Sequence, residues 1–358
     1  GYLGKWHLGG VPRDRFIPKE ERLGFDEWKV NNCDHNYLDS FYYDEQNRRH
    51  AIDGYDAEEY TSLAIDFIER NTDRPWGLWL SWGPPHDPYF DVPQKYLDLY
   101  KDRDLTPREN LADEIVNRLD QPRWTKAQAL ENLKGYYAHI SALDEQFGRL
   151  FQCLEKTGQL DDTLIVFQSD NGPSRERRNW LDGTPDPYYG GTAGGLKGHK
   201  FSLYEGGIRV PAIVSWPAHI PAGRVVDEVG AGMDVAPTVL DAVGIDASRY
   251  RFDGASVLPT LTDGRPSPHD AIYWELMGQT AVRRGRWKLV LDGQLVENEA
   301  PPVAVHLADL DADPGEAENL AEAQPQLAEE LAAAARAWRE SVERQWASYW
   351  GPDASVTI

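Results

Sequence analysis

The feature of this sequence that most constrains its fold occurs twice: a helix carrying apolar residues, then a short apolar run, then a polar turn. The helices are predicted over residues 56–71 and 125–156, and in the second the apolar residues recur at threes and fours, the spacing of one helical face. The apolar runs span residues 76–82 and 163–168 and suit buried strands. Helix, strand and polar turn in this order predict an α/β fold with a mostly parallel sheet.

Polar residues stand directly behind both predicted strands. His86 follows the first strand after a Pro-Pro pair, and Asp170 and Asn171 follow the second. Ligands of such sheets bind beyond the carboxyl ends of the strands. One anionic and one neutral oxygen suit a hard cation such as Ca²⁺ or Mg²⁺, whereas Asp-Asn-Gly is also a common turn sequence. A histidine beside a metal can act as acid, base or anion donor, but a lone loop histidine is more often structural.

The last third of the chain changes pattern. Residues 271–276 and 280–293 alternate between apolar and polar side chains, which predicts antiparallel strands that meet at a glycine turn. An Ala-rich stretch over residues 326–346 has apolar residues on one face and predicts a helix. The sequence therefore predicts an α/β domain over residues 1–267 and a smaller α+β subdomain, a small antiparallel sheet plus a helix, over residues 268–358.

Charge limits the classes of partner. The chain carries 37 Lys and Arg against 59 Asp and Glu, a net charge of −22, so it has no global attraction for nucleic acid or anionic lipid. No stretch approaches the ~18 consecutive apolar residues of a membrane span. An anionic substrate must therefore be held by a local cluster of cationic side chains.

The two cysteines, Cys33 and Cys153, lie far apart in the sequence. Two cysteines make neither a disulfide scaffold nor a Cys-based zinc site. We predict two buried thiols, with a single bridge between them as the alternative.

Basic side chains in two glycine-rich stretches, residues 1–10 and 195–211, are candidates for holding an anion. Glycine-rich loops let backbone and cationic side chains approach an oxyanion closely. Each stretch taken alone is better explained as a solvated loop, but their occurrence together with the polar strand ends favours a site. The candidates are Lys5, His7, Lys197, His199 and Lys200.

Several motifs occur in a fixed order along the chain. GYLGKWHLGG opens it, SDNG stands at 169–172, KFSLYEGGIRVP stands at 200–211, and DVAPTVLDAVG and VHLADLDADPGEAENLA follow. Together these motifs resemble the landmarks of the type I, formylglycine-dependent sulfatases of the alkaline-phosphatase-like superfamily. The resemblance covers essentially the whole chain. It implies that family's α/β fold, a mostly parallel or mixed sheet flanked by helices.

The resemblance also implies roles for single residues. Lys5 and His7 match the pair that holds the sulfate and the nucleophile in the family. His86 resembles the histidine that contacts sulfate near the leaving oxygen. Lys200 matches the lysine that stabilises both the sulfate and the departing oxygen. Lys197 stands where the family often carries another basic residue.

A metal site and a reaction are implied in the same way. Asp170 and Asn171 match the second pair of ligands of a single Ca²⁺. The implied reaction is hydrolysis of a sulfate ester by a Ca²⁺-assisted formylglycine mechanism, in which a cation cluster neutralises the ester's charge as the nucleophile approaches.

Two features of the family are absent from this sequence. One is [C/S]-x-P-S-R, which supplies the residue oxidised to formylglycine, and the other is an early Asp-Asp pair that completes the calcium site. Both lie upstream of GKWHLG in the family, and Cys33 has neither the context nor the order to replace them. We therefore expect a fragment of a complete sulfatase, inactive alone, whose nucleophile and two metal ligands lie in a missing N-terminal segment.

The expected substrate is a sulfated carbohydrate, either a poly- or an oligosaccharide. Tryptophan can stack on a sugar ring, and arginines behind the metal motif can pair with a carboxylate or a second sulfate. Core packing and a charged surface loop are the alternatives. The predicted substrate-binding residues are Arg175, Arg177, Arg178, Trp180, Lys197 and His199.

Two other functions stay open. One is a related phosphoester or phosphonate hydrolase, although Asn171 disfavours a two-zinc phosphatase, where a histidine is expected at that position. The other is a non-catalytic carbohydrate-binding remnant, which would bind sugar without turnover even with the missing segment supplied. Members of this family are usually exported, so we expect this protein in the periplasm, outside the cell or in the lysosome.

Overall fold

The computed structural model describes residues 1–8, 10–106, 114–115, 124–174, 191–295 and 302–351. The chain forms two compact units. The first comprises Gly1–Thr163 and Ser174–Gly191, and the second comprises Leu164–Pro173 and Thr192–Ile358. The predicted division into domains at residues 267 and 268 is a different one and stays a prediction.

The core of the first unit is a five-stranded mixed sheet. Its strands are β1 (Tyr2–Lys5), β2 (Trp28–Asn31), β3 (Phe41–Tyr43), β4 (Arg49–Ala51) and β5 (Trp79–Ser81). The order is β4-β3-β2-β1-β5, with β1 parallel to both β2 and β5, while the pairs β2–β3 and β3–β4 are antiparallel. Strand β1 is therefore the one whose carboxyl end is flanked by two parallel neighbours.

Gly4 lets β1 and β5 approach closely. A Cβ at this position would lie 1.9 Å from the carbonyl oxygen of Ser81, and the φ of Gly4 is +106°, in the region that favours glycine. The strand that leads to Lys5 therefore requires glycine one residue earlier.

Helices complete the first unit. They are α1 (Asp56–Arg70), α2 (Gln94–Leu97) and α3 (Lys126–Lys156), and a short antiparallel pair, β6 (Glu114–Ile115) and β7 (Trp124–Thr125), precedes α3. Helix α1 buries Ala57, Tyr60, Ala64 and Phe67, which recur at threes and fours. Both helices predicted for this part of the chain are confirmed.

The strand predicted over residues 76–82 is wrong in extent and in burial. Strand β5 spans three residues, and Trp79 is 48% exposed. Because β5 is the last strand of the sheet among the described residues and pairs there with β1 alone, its apolar side chains have fewer neighbours than those of a central strand.

The second unit contains two small sheets with helices. Its elements are β8 (Ile165–Gln168), α4 (Glu205–Ile208), β9 (Ala212–Ser215), α5 (Val235–Ala242), α6 (Leu258–Asp263), β10 (Ile272–Leu276), β11 (Gln279–Arg284), β12 (Trp287–Gly293), β13 (Val303–Asp309) and α7 (Pro325–Trp350). Strand β8 confirms the strand predicted behind the long helix, but its residues are half-buried or exposed rather than buried. It pairs antiparallel with β9, so the described sheets comprise one mixed sheet and three antiparallel ones rather than a mostly parallel sheet.

The C-terminal part of this unit is an antiparallel sheet, β10-β11-β12-β13, with one long helix. The predicted glycine turn is Gly285, between β11 and β12. Helix α7 packs Leu331 and Ala335 against Leu289 and Leu307 of the sheet. The predicted fold class, α/β with a small C-terminal antiparallel sheet and helix, is confirmed, and β13 adds a strand that the sequence pattern leaves unassigned.

Cys33 and Cys153 are both buried free thiols, as predicted. In the part of the chain that the structure describes, no helix has the length and apolar character needed to cross a membrane.

Candidate functional site

Lys5 and His7 stand at the carboxyl end of β1, on either side of Trp6. The Trp6 ring is buried and packs edge-on against Trp28 at a centroid distance of 5.0 Å. The backbone N–H of Trp6 donates to the carbonyl oxygen of Asn31, the last residue of β2, at 2.9 Å, and that of His7 donates to the next carbonyl oxygen along the chain at 2.7 Å. This anchoring of Trp6 leaves Lys5 half-buried and His7 exposed, which suits cationic groups that meet a ligand.

A buried carboxylate belongs to the same neighbourhood as Lys5. Asp56, the first residue of α1, is 3% exposed, and its Oδ1 has no hydrogen-bond partner among the described residues. Burial raises the pKa of Asp56 well above its usual range, the charges of Asp34 and Asp91 raise it further, and the charge of Lys5 opposes the rise. The sequence does not predict that Asp56 is buried near Lys5, because a carboxylate at the start of a helix normally serves as an N-cap or interacts with the helix dipole.

His86 lies between a buried carboxylate and a second histidine. Its Nδ1 lies 3.1 Å from Oδ1 of Asp87, a fully buried side chain. Its ring stacks on that of His35, with centroids 4.6 Å apart and planes at 21°. His35 is a residue that sequence reasoning missed, because nothing local in NNCDHN links position 35 to position 86.

A neutral histidine supports the loop that carries His86. His139 on α3 has Nε2 at 3.1 Å from the carbonyl oxygen of Pro88 and Nδ1 at 2.7 Å from the hydroxyl of Tyr55. Burial lowers the pKa of His139 to about 4, so the ring is neutral at pH 7. It therefore donates from Nε2 to Pro88 and accepts at Nδ1 from Tyr55.

In the second unit, Asp170 and Asn171 form the turn behind β8. The backbone N–H of Asn171 donates to Oδ1 of Asp170 at 2.9 Å, and the hydroxyl of Ser169 donates to the carbonyl oxygen of Asn171 at 3.0 Å. The backbone N–H of Lys200 donates to the carbonyl oxygen of Pro173 at 3.0 Å. The polar turn and the loop of predicted anion-binding residues are therefore neighbours within this unit.

The donor chemistry of Asp170 and Asn171 fits part of a calcium shell. A carboxylate and an amide oxygen are ligands that Ca²⁺ takes, but the ion needs about six to eight oxygens. Over the residues that the structure describes, no group of three or more His, Cys, Asp or Glu is placed to hold a metal. Calcium therefore stays a prediction.

The segment from Lys197 to Lys200 packs tightly onto Gly206 and Gly207. A Cβ on these glycines would lie 2.3 and 2.2 Å, respectively, from carbonyl oxygens of residues 198 and 202. The N–H of Gly206 donates to the carbonyl oxygen of Lys197 at 2.7 Å. The two glycines of the EGG motif are therefore required by backbone packing, which fixes the course of this loop.

Lys197 is held from two sides. Its Nζ donates to the carbonyl oxygen of Glu316 at 3.2 Å and lies 4.5 Å from the centre of the Tyr204 ring. Burial lowers the pKa of Lys197, and the carboxylates of Glu316 and Asp313 oppose that shift. A lysine held in this way is a well-oriented cation.

The predicted site residues fall into two groups. In the first unit, Lys5 ends β1 and His86 follows the parallel neighbour β5, so both lie at the carboxyl edge of one sheet. In the second unit, the Asp170-Asn171 turn lies beside the loop of Lys197, His199 and Lys200. The roles of all these residues stay predictions. The remaining candidates, Arg175, Arg177, Arg178 and Trp180, lie outside the described residues.

Comparison with known proteins identifies relatives of this chain. An ulvan-active sulfatase of Formosa agariphila is 36% identical over 178 residues, covering 48% of this chain and 32% of the relative. A choline-sulfatase of Rhizobium meliloti is 32% identical over 271 residues, covering 70% of this chain and 47% of the relative. The chain thus spans 32% and 47% of the lengths of these two relatives.

A solved structure shares the fold. A protein crystallised in complex with its substrate, D-glucosamine-2-N,6-O-disulfate, superposes with a TM-score of 0.70 at 21% identity, covering 99% of this chain and 81% of that protein. The family model for sulfatases matches residues 1–245, and the model for the C-terminal part of N-sulphoglucosamine sulphohydrolase matches residues 198–341. The chain therefore belongs to the sulfatase family, within the alkaline-phosphatase-like superfamily.

Proposed function

We propose that this chain supplies part of the active site of an enzyme that hydrolyses sulfate esters of a carbohydrate. The observation that carries the proposal is the hydrogen bond from the backbone N–H of Lys200 to the carbonyl oxygen of Pro173, which brings the loop of Lys197 and Lys200 next to the Asp170-Asn171 turn. Hard oxygen donors beside cations suit a cation-assisted reaction of an oxyanion. The names of the ulvan-active sulfatase and of the glucosamine disulfate complex support a carbohydrate substrate, whereas choline-sulfatase is named for another substrate.

The side chains of the chain divide the work of this proposed reaction. Lys5 and Lys200 neutralise the nonbridging oxygens, which lowers the cost of nucleophilic approach to an anion. The Nδ1 of His86 lies 3.1 Å from the backbone carbonyl oxygen of Asp87, an acceptor that keeps a proton on Nδ1, so that the protonated ring can give its second proton from Nε2 to the leaving oxygen. His7 assists the release of sulfate afterwards.

A cation and a nucleophile complete the proposal. Asp170 and Asn171 would hold Ca²⁺, which supplies charge stabilisation to the sulfate when bound. Formylglycine would supply the nucleophile from sequence outside these 358 residues, since no [C/S]-x-P-S-R occurs in them. N-terminal sequencing and intact mass of the protein from its native source test this, and we expect a longer chain with the mass deficit of formylglycine. A native chain that begins at Gly1 overturns it.

Turnover by that native protein tests the reaction. We expect hydrolysis of an aryl sulfate in preference to an aryl phosphate, and loss of activity with a calcium chelator. Lys200→Met should lower kcat/KM by about 10²-fold, the usual cost of removing one group that stabilises a developing oxyanion. The matched control is Lys156→Met, since the Lys156 side chain is 79% exposed. Preference for the phosphate would indicate a phosphoester hydrolase, and sugar binding without turnover would indicate a binding remnant.

We also propose that the protein is exported, because members of the sulfatase family usually are. Fractionation of native cells should place the protein outside the cytosol, and recovery with cytosolic markers would overturn this point.

A further inference from the structure

Three buried charges pack against the loop of Lys197 and Lys200. Lys288 on β12 is fully buried, and its Nζ lies 2.8 Å from Oε1 of Glu205 and 3.2 Å from Oε1 of Glu316. The two carboxylates are 2% and 0% exposed. We call Lys288, Glu205 and Glu316 the Lys288 cluster. Desolvating charges is unfavourable, and apolar residues of the same volume often serve stability as well or better, so simple packing does not account for this cluster.

Lys288 is the cation in contact with both carboxylates. Two arginines, Arg209 and Arg283, lie farther out, 3.7 and 4.0 Å from Oε2 of Glu205. Burial raises the pKa of Glu316, and the charge of Lys288 opposes that rise. Removing Lys288 would therefore leave two buried carboxylates close together with only peripheral compensation.

Glu316 holds both ends of the loop. Its Oε2 accepts from the backbone N–H of Glu205 at 2.6 Å, and its backbone carbonyl oxygen accepts from Nζ of Lys197 at 3.2 Å. Lys200 lies between these two anchored ends in the sequence. The geometry of the loop thus depends on Glu316, and the charge of Glu316 is held by Lys288.

The cluster also accounts for two stretches of sequence that the proposed reaction leaves unused. Glu316 belongs to the C-terminal landmark at 305–321, and Lys288 belongs to the strand WKLVLDG. Both meet the EGG motif through Glu205, which stands directly before the two glycines that fix the loop.

We propose that the Lys288 cluster is a positioning device, which holds residues 197–205 so that Lys197 and Lys200 meet an oxyanion in a fixed geometry. That the oxyanion is a sulfate rests on the proposed function. Lys288, Glu205 and Glu316 are positioning residues, because they act through the loop rather than on a substrate.

Residue-specific labelling of lysines in the folded chain tests the device. An amine-acetylating reagent is applied briefly, and the labelling rate of each lysine is read by mass spectrometry. We expect Lys288→Met to raise the rate at Lys197 by about tenfold relative to Lys156, because an unpaired buried charge favours local opening. Glu316→Leu should do the same. Glu316→Gln should stay near the wild type, because its amide oxygen still accepts from the N–H of Glu205.

A destabilised control separates positioning from general loss of stability. Leu331→Ala removes a fully buried side chain from α7 in the same unit without touching residues 197–205. We expect it to leave the rate at Lys197 unchanged. If Lys288→Met does not fold, the contrast between Glu316→Leu and Glu316→Gln decides. Unchanged labelling of Lys197 in every folded cluster variant, or an equal rise in Leu331→Ala, overturns the device.

Inorganic sulfate distinguishes this inference from the proposed function. In the wild type, sulfate should protect Lys197 and Lys200 from labelling, and its dissociation constant should rise about tenfold in Glu316→Leu but not in Glu316→Gln. Failure of sulfate to bind the wild type counts against the proposed function, while the labelling contrast still supports the device. Sulfate binding that is equal in all folded variants counts against the device.

Discussion

The loop that carries His86 and the loop that carries Lys197 and Lys200 are supported in different ways. The first contains one buried carboxylate, Asp87, but is held by a neutral histidine, His139, and by ring stacking, whereas the second is held by a cluster of three buried charges. A neutral hydrogen bond contributes about 1 kcal/mol to stability, whereas breaking a buried ion pair costs about 3–5 kcal/mol. The His86 loop should therefore lose function gradually under substitution, and the lysine loop abruptly.

Lys288→Met should produce the largest effect. We expect the free energy of unfolding of the second unit to fall by about 3–5 kcal/mol, because two buried carboxylates lose their common cation. Arg284→Met is the control, since Arg284 pairs with Glu330 at 2.8 Å on the surface and exposed pairs contribute about 0–1 kcal/mol. Hydrogen exchange of β12 amides measures both. Equal losses of stability in the two variants would show that the buried charges around Lys288 contribute no more than an exposed ion pair.

Gly4→Ala tests the backbone that supports Lys5 in the first unit. A Cβ here meets the Ser81 carbonyl oxygen at 1.9 Å and sits on a positive φ, so we expect a loss of about 2–4 kcal/mol from overpacking and strain. Gly54 has a similar φ of +104° but nothing within 4 Å of its Cβ position. Gly54→Ala should cost only about 1–2 kcal/mol. Urea unfolding compares the two, and equal costs would show that the close approach of β1 and β5 is not what requires glycine.

Acid should weaken the His86 loop through His139. The pKa of His139 is about 4 in the folded chain against an ordinary value of 6.5, so between these values the unfolded chain binds more protons. The stabilisation is complete above pH 6.5 and is lost as the pH falls towards 4, by up to about 3 kcal/mol. His139→Gln lacks the titrating group, so the difference between the unfolding curves of variant and wild type isolates it. A difference that does not change with pH would contradict the neutral ring.

The two loops also differ in how much of their structure the sequence could predict. Glycines and cations of the lysine loop stand close together in the chain, and the EGG motif is visible because its glycines are demanded by local backbone packing. The turn of Asp170 and Asn171 could also be predicted, because a strand end and its turn are local features. The four-stranded C-terminal sheet was found in part, because alternation over 271–293 is local, whereas β13 lies beyond an intervening segment.

Residues that act across the fold were missed. Lys288 and Glu205 are 83 positions apart, and His35 reaches His86 only because the loops behind β2 and β5 flank β1 in one sheet. Periodicity and spacing carry no information on such pairs. An alternating strand also gives no warning of a buried lysine, since Lys288 reads as a solvent-facing residue between apolar ones.

The smallest expected effect concerns the stack of His35 on His86. His35→Ala removes the ring 4.6 Å from that of His86, and an aromatic pair of this kind contributes about 0.5–1.5 kcal/mol. We expect sulfate affinity to fall about threefold as His86 loses one of its supports. His35→Phe keeps a stacking ring and should retain the affinity of the wild type, as measured by calorimetric titration with inorganic sulfate. If His35→Phe loses as much as His35→Ala, polar contacts of the His35 imidazole, such as the one between Nε2 and Sγ of Cys33 at 3.5 Å, matter more than the ring stack. In that case the first loop, like the second, presents a polar group that its neighbours orient.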